Sequence, residues 1–365
     1  MERSVQLRIP GPTPIPDEIL KTLSRQMINH RGPEFAEMIN RSTALLKEMF
    51  QTQGDVFLLT CSGTGGMEAA IVNTLSPGDR VLSASNGAFG DRFADIAEVF
   101  GAKVERLTFE WGTAVDPDEV RSALSKNPDV KAVLVTHNET STGVASDLEA
   151  ISKVVREHDK LLLVDAISGL GSIDLPTDKW GCDVVITGSQ KGWMVPPGLA
   201  MVSVSQRAWQ ANAEAKMPRF YWDFAKAKKF LDKGQTPWTP SVSTIYALDV
   251  ALEMFKQEGL QNIFARHQRL GAKSRQAMKD LGLSLFPRDE RYASNTITAV
   301  NVPDGVDGKK LLKILREEYN TVLSGGQQKL EGKIFRIGHL GYVSDSDINI
   351  TVEAIKAALP KAKSS

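Results

Sequence analysis

Three short stretches carry side chains that could do chemistry. The first, "TCSGTGGMEAA" (60–70), passes from an apolar strand pattern through a glycine-rich turn into helix-forming residues. Free N–H groups at such a helix start point at an anion, and glycine lets the backbone approach it closely. It is not a dinucleotide fingerprint: Glu68 stands where GxGxxG, begun at Gly63, needs its third glycine, and the Walker lysine is missing. The second, "LLLVDA" (161–166), places Asp165 after four apolar strand residues. An acid there is partly buried and paired, caps the next segment, or is functional. The third, "DVVITGSQKGWMVPPG" (183–198), holds one lysine, Lys191, in dense turn chemistry. A loop lysine is ordinarily a solvated charge. Here Gly188, Gly192 and Pro196-Pro197-Gly198 fix the backbone on both sides, and Trp193 and Met194 supply apolar cover. A lysine held and desolvated in this way has a lowered pKa, which suits Schiff-base chemistry.

Taken together, the three stretches ask for one ligand. It needs a phosphate for the helix start, a cationic ring nitrogen for the acid and an aldehyde for the lysine. Pyridoxal 5′-phosphate meets all three requirements.

The elements that must position these groups alternate along the chain. "DVFLLT" (55–60), "DRVLSAS" (79–85), "AKVERLTF" (102–109), "VKAVLVT" (130–136), "KLLLVDA" (160–166), "DVVITG" (183–188) and "GLAMVSVS" (198–205) read as strands. Helical stretches at 65–76, 90–101, 117–125 and 147–158 lie between them. Short, almost wholly apolar strands interleaved with helices predict an α/β fold whose mainly parallel sheet is sandwiched by helices. In such sheets a ligand sits outside the carboxyl ends of the strands, where all three stretches fall. Before this region, Phe35, Met38, Ile39, Ser42, Leu45, Leu46 and Met49 recur at helical period after Pro33. The opening "IPGPTPIP" (9–16) has four prolines in eight residues, cannot be helical, and is expected to lie across another surface. The sequence divides into an arm (1–20), a large domain (21–258) and a smaller C-terminal α/β domain (259–365).

Composition narrows the class. Lys+Arg and Asp+Glu are both 44, so nothing points to nucleic acid or an anionic membrane. No apolar stretch is long enough to span a bilayer and no signal peptide opens the chain, so a cytoplasmic protein is expected. Two cysteines, Cys61 and Cys182, make no disulfide framework, and the five histidines show no pair at metal-ligand spacing.

The motifs "SGTGGMEAA", "NGAFGDR", "THNETSTGV", "LLLVDAISGLGS", "TGSQKGWMVPPGLA" and "FRIGHLG" resemble the class-V aminotransferases of PLP-transferase fold type I. Within that class the sequence is most similar to the alanine–glyoxylate and serine–glyoxylate (serine–pyruvate) group. The resemblance implies a pyridoxal phosphate enzyme in which Lys191 forms the Schiff base and then shuttles a proton. Asp165 would pair with the pyridinium nitrogen, and Ile167 would line the ring's lower face. Ser62, Gly63, Thr64 and Gln190 would hold the phosphate. Phe89 falls where close relatives carry a stacking tryptophan, and Thr140 matches a hydroxyl residue near the phenolic oxygen. Arg336 matches the arginine that grips the substrate carboxylate. Thr239 matches a threonine that reaches the phosphate of the neighbouring subunit, implying a homodimer with shared sites. Thr236 departs from the animal-type enzymes, which have tyrosine there. The implied activity is ping-pong transfer of an amino group from alanine or serine to glyoxylate or pyruvate, with aspartate as an alternative donor.

Other functions fit less well. A cysteine desulfurase needs a catalytic cysteine late in the chain, and both cysteines precede Lys191. A nicotinamide dehydrogenase needs the fingerprint that is absent. A non-catalytic subunit with an inherited fold would be expected to lose one of Lys191, Asp165 and Arg336. His137 reads as structural, and both cysteines as packed thiols.

Overall fold

The computed structural model describes residues 5–363. Seven strands form the main sheet: β1 (Asp55–Leu59), β2 (Arg80–Ser85), β3 (Lys103–Thr108), β4 (Val130–Thr136), β5 (Leu161–Asp165), β6 (Val184–Gly188) and β7 (Ala200–Val204). Their spatial order is β1-β7-β6-β5-β4-β2-β3, and β7 alone runs antiparallel to its neighbours. The predicted mainly parallel sheet is therefore present. The reversal of β7 follows from its connection: residues 189–199 form turns and no helix, and a parallel crossover normally needs one.

Alternate strand residues enter opposite cores, as a period of two requires. Val56, Val133, Val164 and Val185 face one cluster, covered by the helices Pro33–Phe50, Leu148–Glu157 and Val242–Glu258. Phe57, Leu134, Leu163 and Ile186 face the other, covered by Gly63–Thr74, Ala88–Val99 and Phe224–Leu231. The helix read after Pro33 spans Pro33–Phe50 and buries all seven residues that predicted it.

Four helices carried too weak a pattern to be read from sequence. Asp17–Thr22 and Thr177–Trp180 are short, and Gln206–Glu214 buries only Ala208 and Asn212. Phe224–Leu231 is rich in lysine and starts from an Asp223 cap. The position proposed from sequence as a domain boundary, near 258, lies beside Gly259, which separates the helices Val242–Glu258 and Leu260–Asp280. Beyond it, the strands Ile297–Asn301, Ile334–Gly338 and Ser324–Gly325 form a small antiparallel sheet. Val300, Leu311, Phe335 and Ile355 are buried in the core beside it.

The proline-rich arm does lie across other surfaces. Gln6–Leu7 pairs in parallel with Thr321–Val322, and Arg8 forms an ion pair with Asp347. Gly338 N–H donates to the Arg8 carbonyl at 2.7 Å, and Thr13 N–H to the Gln190 carbonyl at 3.1 Å. The arm thus bridges the small sheet and the end of β6.

Trp193 pins the loop that follows β6. It is fully buried, stacked between Phe50 (6.2 Å between centroids) and Phe255 (5.3 Å), and its Nε1 donates to Thr187 Oγ1 at 2.9 Å. Trp193→Ala is expected to cost about 3–5 kcal/mol, read as a lowered urea midpoint. An unaltered midpoint would remove Trp193 as the anchor of this loop. No helix among the described residues is long and apolar enough to cross a membrane.

Candidate active site

The carboxyl ends of the parallel strands open onto a cleft with about 470 Å³ of empty space. Nine residues singled out from sequence line it: Ser62, Gly63, Thr64, Phe89, Thr140, Asp165, Ile167, Gln190 and Lys191.

After β1 and the bend at Thr60–Cys61, the chain enters the helix Gly63–Thr74 through Ser62, whose backbone is extended and whose side chain makes no capping bond. The Gly63 and Thr64 amides donate to nothing within the described residues. They sit at the positive end of the helix, so an anion is the partner they lack. A Cβ on Gly63 would stand 2.5 Å from Ile167 Cδ1, so only glycine allows the helix start this close to the loop after β5. Gln190 also lacks a partner here: its Oε1 is buried and unbonded.

Asp165 ends β5. Its Oδ1 accepts from Ile167 N–H at 2.9 Å, and Oδ2 takes no bond within the described residues. Burial pushes this carboxyl up to about 7 and Glu139 adds to the rise; the Ile167 amide, Lys191 and Arg92 oppose it.

Lys191 is 9% exposed. Its Nζ donates to the Pro10 carbonyl at 2.7 Å, so the N-terminal arm supplies one wall of the site. Desolvation holds the amine down at about 8, Asp165 pulls it up, and Arg336 and Arg92 push it down. Thr13 Oγ1 donates to the Lys191 carbonyl at 3.0 Å. Met194, three residues on, has a φ of 62°, a left-handed conformation that bulky residues seldom adopt. Trp193 and Met194 are both buried, so the cover read from sequence is in place.

Arg336 stands beside the cleft and not in its lining. It is 4% exposed, with Nη1 donating to the Thr140 carbonyl and Nε to the Gly325 carbonyl, both at 2.9 Å. Nη2 has no partner among the described residues. Burial lowers this guanidinium to about 10, against the pull of Glu139, so it stays charged at neutral pH. Thr140 Oγ1 donates to Ser168 Oγ at 2.8 Å. Thr239 is exposed on a loop outside the cleft of its own chain, and Thr236 is buried nearby. His137 is buried and held neutral, its pKa lowered to about 4 by desolvation. Burial pushes the Cys61 thiol up to about 12 and the Cys182 thiol higher still.

Sequence reasoning missed three lining residues, Arg92, Asn138 and Ser168. The Arg92 guanidinium sits 4.8 Å from the centre of the Phe89 ring. Asn138 Nδ2 donates to Ser168 Oγ at 2.8 Å and Thr296 Oγ1 at 2.9 Å. Each lies inside a motif already quoted, and only the fold shows which of its positions face inward.

The site suits pyridoxal phosphate on its own chemistry. Two unpaired amides await an anion, a buried carboxylate oxygen awaits a donor, and a desolvated amine stands at the next strand end.

Known proteins resemble the chain over nearly its whole length. The model of the family "Aminotransferase class-V" matches residues 8–342. The small subunit of a soluble hydrogenase from Synechococcus sp. is 47% identical, over 98% of this chain and 94% of the relative. An L-aspartate–glyoxylate aminotransferase from Paracoccus denitrificans is 40% identical, over 93% and 87%. A serine–glyoxylate aminotransferase from Hyphomicrobium methylovorum is 39% identical, over 97% and 89%. The crystal structure of an alanine–glyoxylate aminotransferase from Nostoc sp. superposes with a TM-score of 0.94 at 32% identity, covering 98% of this chain and 96% of that one. The fold is that of the type I pyridoxal phosphate aminotransferases, and the chain belongs to the class-V aminotransferases, a family that implies pyridoxal phosphate as cofactor.

Proposed function

We propose that this protein transfers the amino group of alanine or serine to glyoxylate or pyruvate, in two half-reactions at one site. The observation that carries the reading is the pairing of Lys191 and Asp165. Both are desolvated, Asp165 ends β5 and Lys191 lies in the turn just after the adjacent parallel strand β6, and they face one cleft. When bound, pyridoxal phosphate supplies an aldehyde and an electron-accepting ring.

The chain's own residues do the rest. The Gly63 and Thr64 amides, with Ser62 and Gln190, hold the phosphate. The free oxygen of Asp165 accepts the ring N–H, and a cationic donor there keeps that carboxylate ionised. Ile167 and Phe89 cover the two ring faces and exclude water, and the Thr140 hydroxyl lies near the phenolic oxygen. Lys191 Nζ, once freed, is the base that would take the proton from the donor's Cα and, so protonated, would return it to the bound group. In the free amine, the Pro10 carbonyl accepts from Nζ and holds it in place. Arg336, fixed through Nε and Nη1, presents Nη2 to the substrate carboxylate. Thr239 serves the phosphate of a neighbouring subunit, which makes the active form a homodimer.

A single carboxylate clamp favours small donors with one carboxylate. Of the relatives named above, the three aminotransferases act by their names on aspartate, serine and alanine and share glyoxylate, while the fourth is named as a hydrogenase subunit. The acceptor is thus the better supported half, and aspartate is the alternative donor.

Half-reaction spectra test the reading. Alanine or serine is expected to bleach the visible band of the lysine-bound cofactor, and glyoxylate or pyruvate to restore it. Bleaching by aspartate alone would move the assignment to the alternative donor. Protein that stays colourless with added pyridoxal phosphate would overturn the function.

A further inference from the structure

We infer that Glu139 is a positioning residue: its carboxylate ties the backbone of Phe89 to the hairpin whose Thr140 carbonyl holds Arg336, so that ring cover and substrate clamp form one body. The inference rests on the roles proposed above for Phe89 and Arg336.

Glu139 is fully buried in the two-stranded hairpin Asn138–Glu139/Val144–Ala145. Its Oε2 accepts from the Phe89 amide at 3.1 Å and the Gly90 amide at 3.0 Å. Its Oε1 accepts from the Ser141 amide at 3.0 Å and the Ser141 hydroxyl at 2.6 Å. Ser141 Oγ in turn accepts from the Ala88 amide at 3.0 Å. The first three amides of the helix Ala88–Val99 are therefore satisfied by a hairpin some fifty positions further along the chain.

Capping alone does not explain this arrangement. A serine or asparagine at the cap position would satisfy such a helix locally. That position is instead Gly87, where a Cβ would stand 2.3 Å from Glu139 Cγ and Cδ. A local cap is absent, and the space is taken by a buried carboxylate with no ion-pair partner within 4 Å among the described residues. Burying such a charge is costly unless hydrogen bonds and a nearby opposite charge offset it. Four donors supply the bonds. The opposite charge is Arg336, whose guanidinium is pulled up by Glu139 without pairing to it and whose Nη2 has no partner among the described residues; burial still leaves the Glu139 carboxyl above its ordinary value, against the pull of its four donors. On the other side, Gly143 N–H closes the hairpin turn on the Glu139 carbonyl at 2.9 Å, and the Thr140 carbonyl inside that turn accepts from Arg336. One side chain thus fixes both the helix start that carries Phe89 and the turn that carries Arg336's acceptor.

Glu139→Gln keeps the shape but cannot accept on both ends. The expected result is a rise of about tenfold or more in the KM for the amino donor, with a smaller change in kcat. The pH midpoint of the visible band should also move, because a charge near Asp165 is lost. In the apoprotein, amide exchange at Phe89 and Gly90 should speed up. Glu139→Asp should recover part of each change. A folded Glu139→Gln protein with only a lowered melting temperature, and unchanged KM, band midpoint and amide exchange, overturns the inference. Should that variant not fold, Ser141→Ala leaves the carboxylate with three donors and is expected to shift the same readouts less. No shift in Ser141→Ala likewise overturns the inference. Arg336→Ala separates the two levels of argument. If it leaves the donor KM unchanged, the clamp reading fails. If it raises that KM while Glu139→Gln does not, only the positioning role fails.

Discussion

Replacing Lys191 with alanine is expected to abolish the visible band and lower amino transfer by about four orders of magnitude. Two functions are lost together, because the same amine captures the aldehyde and carries the proton. The fold should survive, since the side chain's one hydrogen bond runs to the Pro10 carbonyl and the loop is anchored by Trp193. Small amines added to the mutant should recover part of the proton transfer. A Lys191→Ala protein that kept its band would place the aldehyde on another residue and sink the site. A pH dependence accompanies this prediction. The buried amine is held at about 8, so capture of added cofactor by the apoprotein should accelerate as pH rises through that value and the neutral amine appears. The same depression has a sign for stability. Between about 8 and the unfolded value of 10.5, the unfolded chain binds the extra proton, so this group adds stability to the apoprotein as pH rises across that window. Lys191→Ala should flatten that rise.

Asp165→Asn is expected to lower kcat by about 10²- to 10³-fold while leaving the donor KM within a few-fold. The substitution preserves shape and can still accept from the Ile167 amide. It removes the charge that would stabilise a cationic ring nitrogen in a buried site. Burial already pushes the carboxyl up to about 7, so a cationic partner is what would hold it ionised at neutral pH. The asparagine protein should therefore also bind pyridoxal phosphate more weakly and show a displaced band. Arg336 is untouched by this change, which is why the donor's carboxylate should still be gripped. Full kcat in Asp165→Asn would show that the ring does not depend on this acid.

Much of this was legible in the sequence. The inner sheet strands announced themselves because, buried on both faces, they are nearly continuous apolar runs, unlike the half-exposed edge strand β3; Val164 and Leu163 enter different cores and neither can be polar. Strand ends were therefore visible, and with them Asp165 and Lys191. Motif resemblance found Ser62, Gly63, Thr64 and Gln190 for the same reason: they sit at fixed offsets from a strand end. The Pro10 contact was not legible, because nothing in "IPGPTPIP" states which residue 181 positions away its carbonyl will meet. Glu139 was hidden differently. Its sequence neighbours suggest a loop acid, and its partners are amides of a distant helix, groups that any sequence would supply. Arg92 lies in a quoted motif, yet only the helix phase turns it toward Phe89.

The arm that meets Lys191 also couples distant parts of the fold. Residues 6–8 are held by Thr321–Val322 and Asp347, some three hundred positions further along the chain, while Pro10 and Thr13 reach Lys191. Any loosening of the C-terminal elements is thereby felt at the Lys191 amine through two or three residues of arm, with the main sheet unchanged.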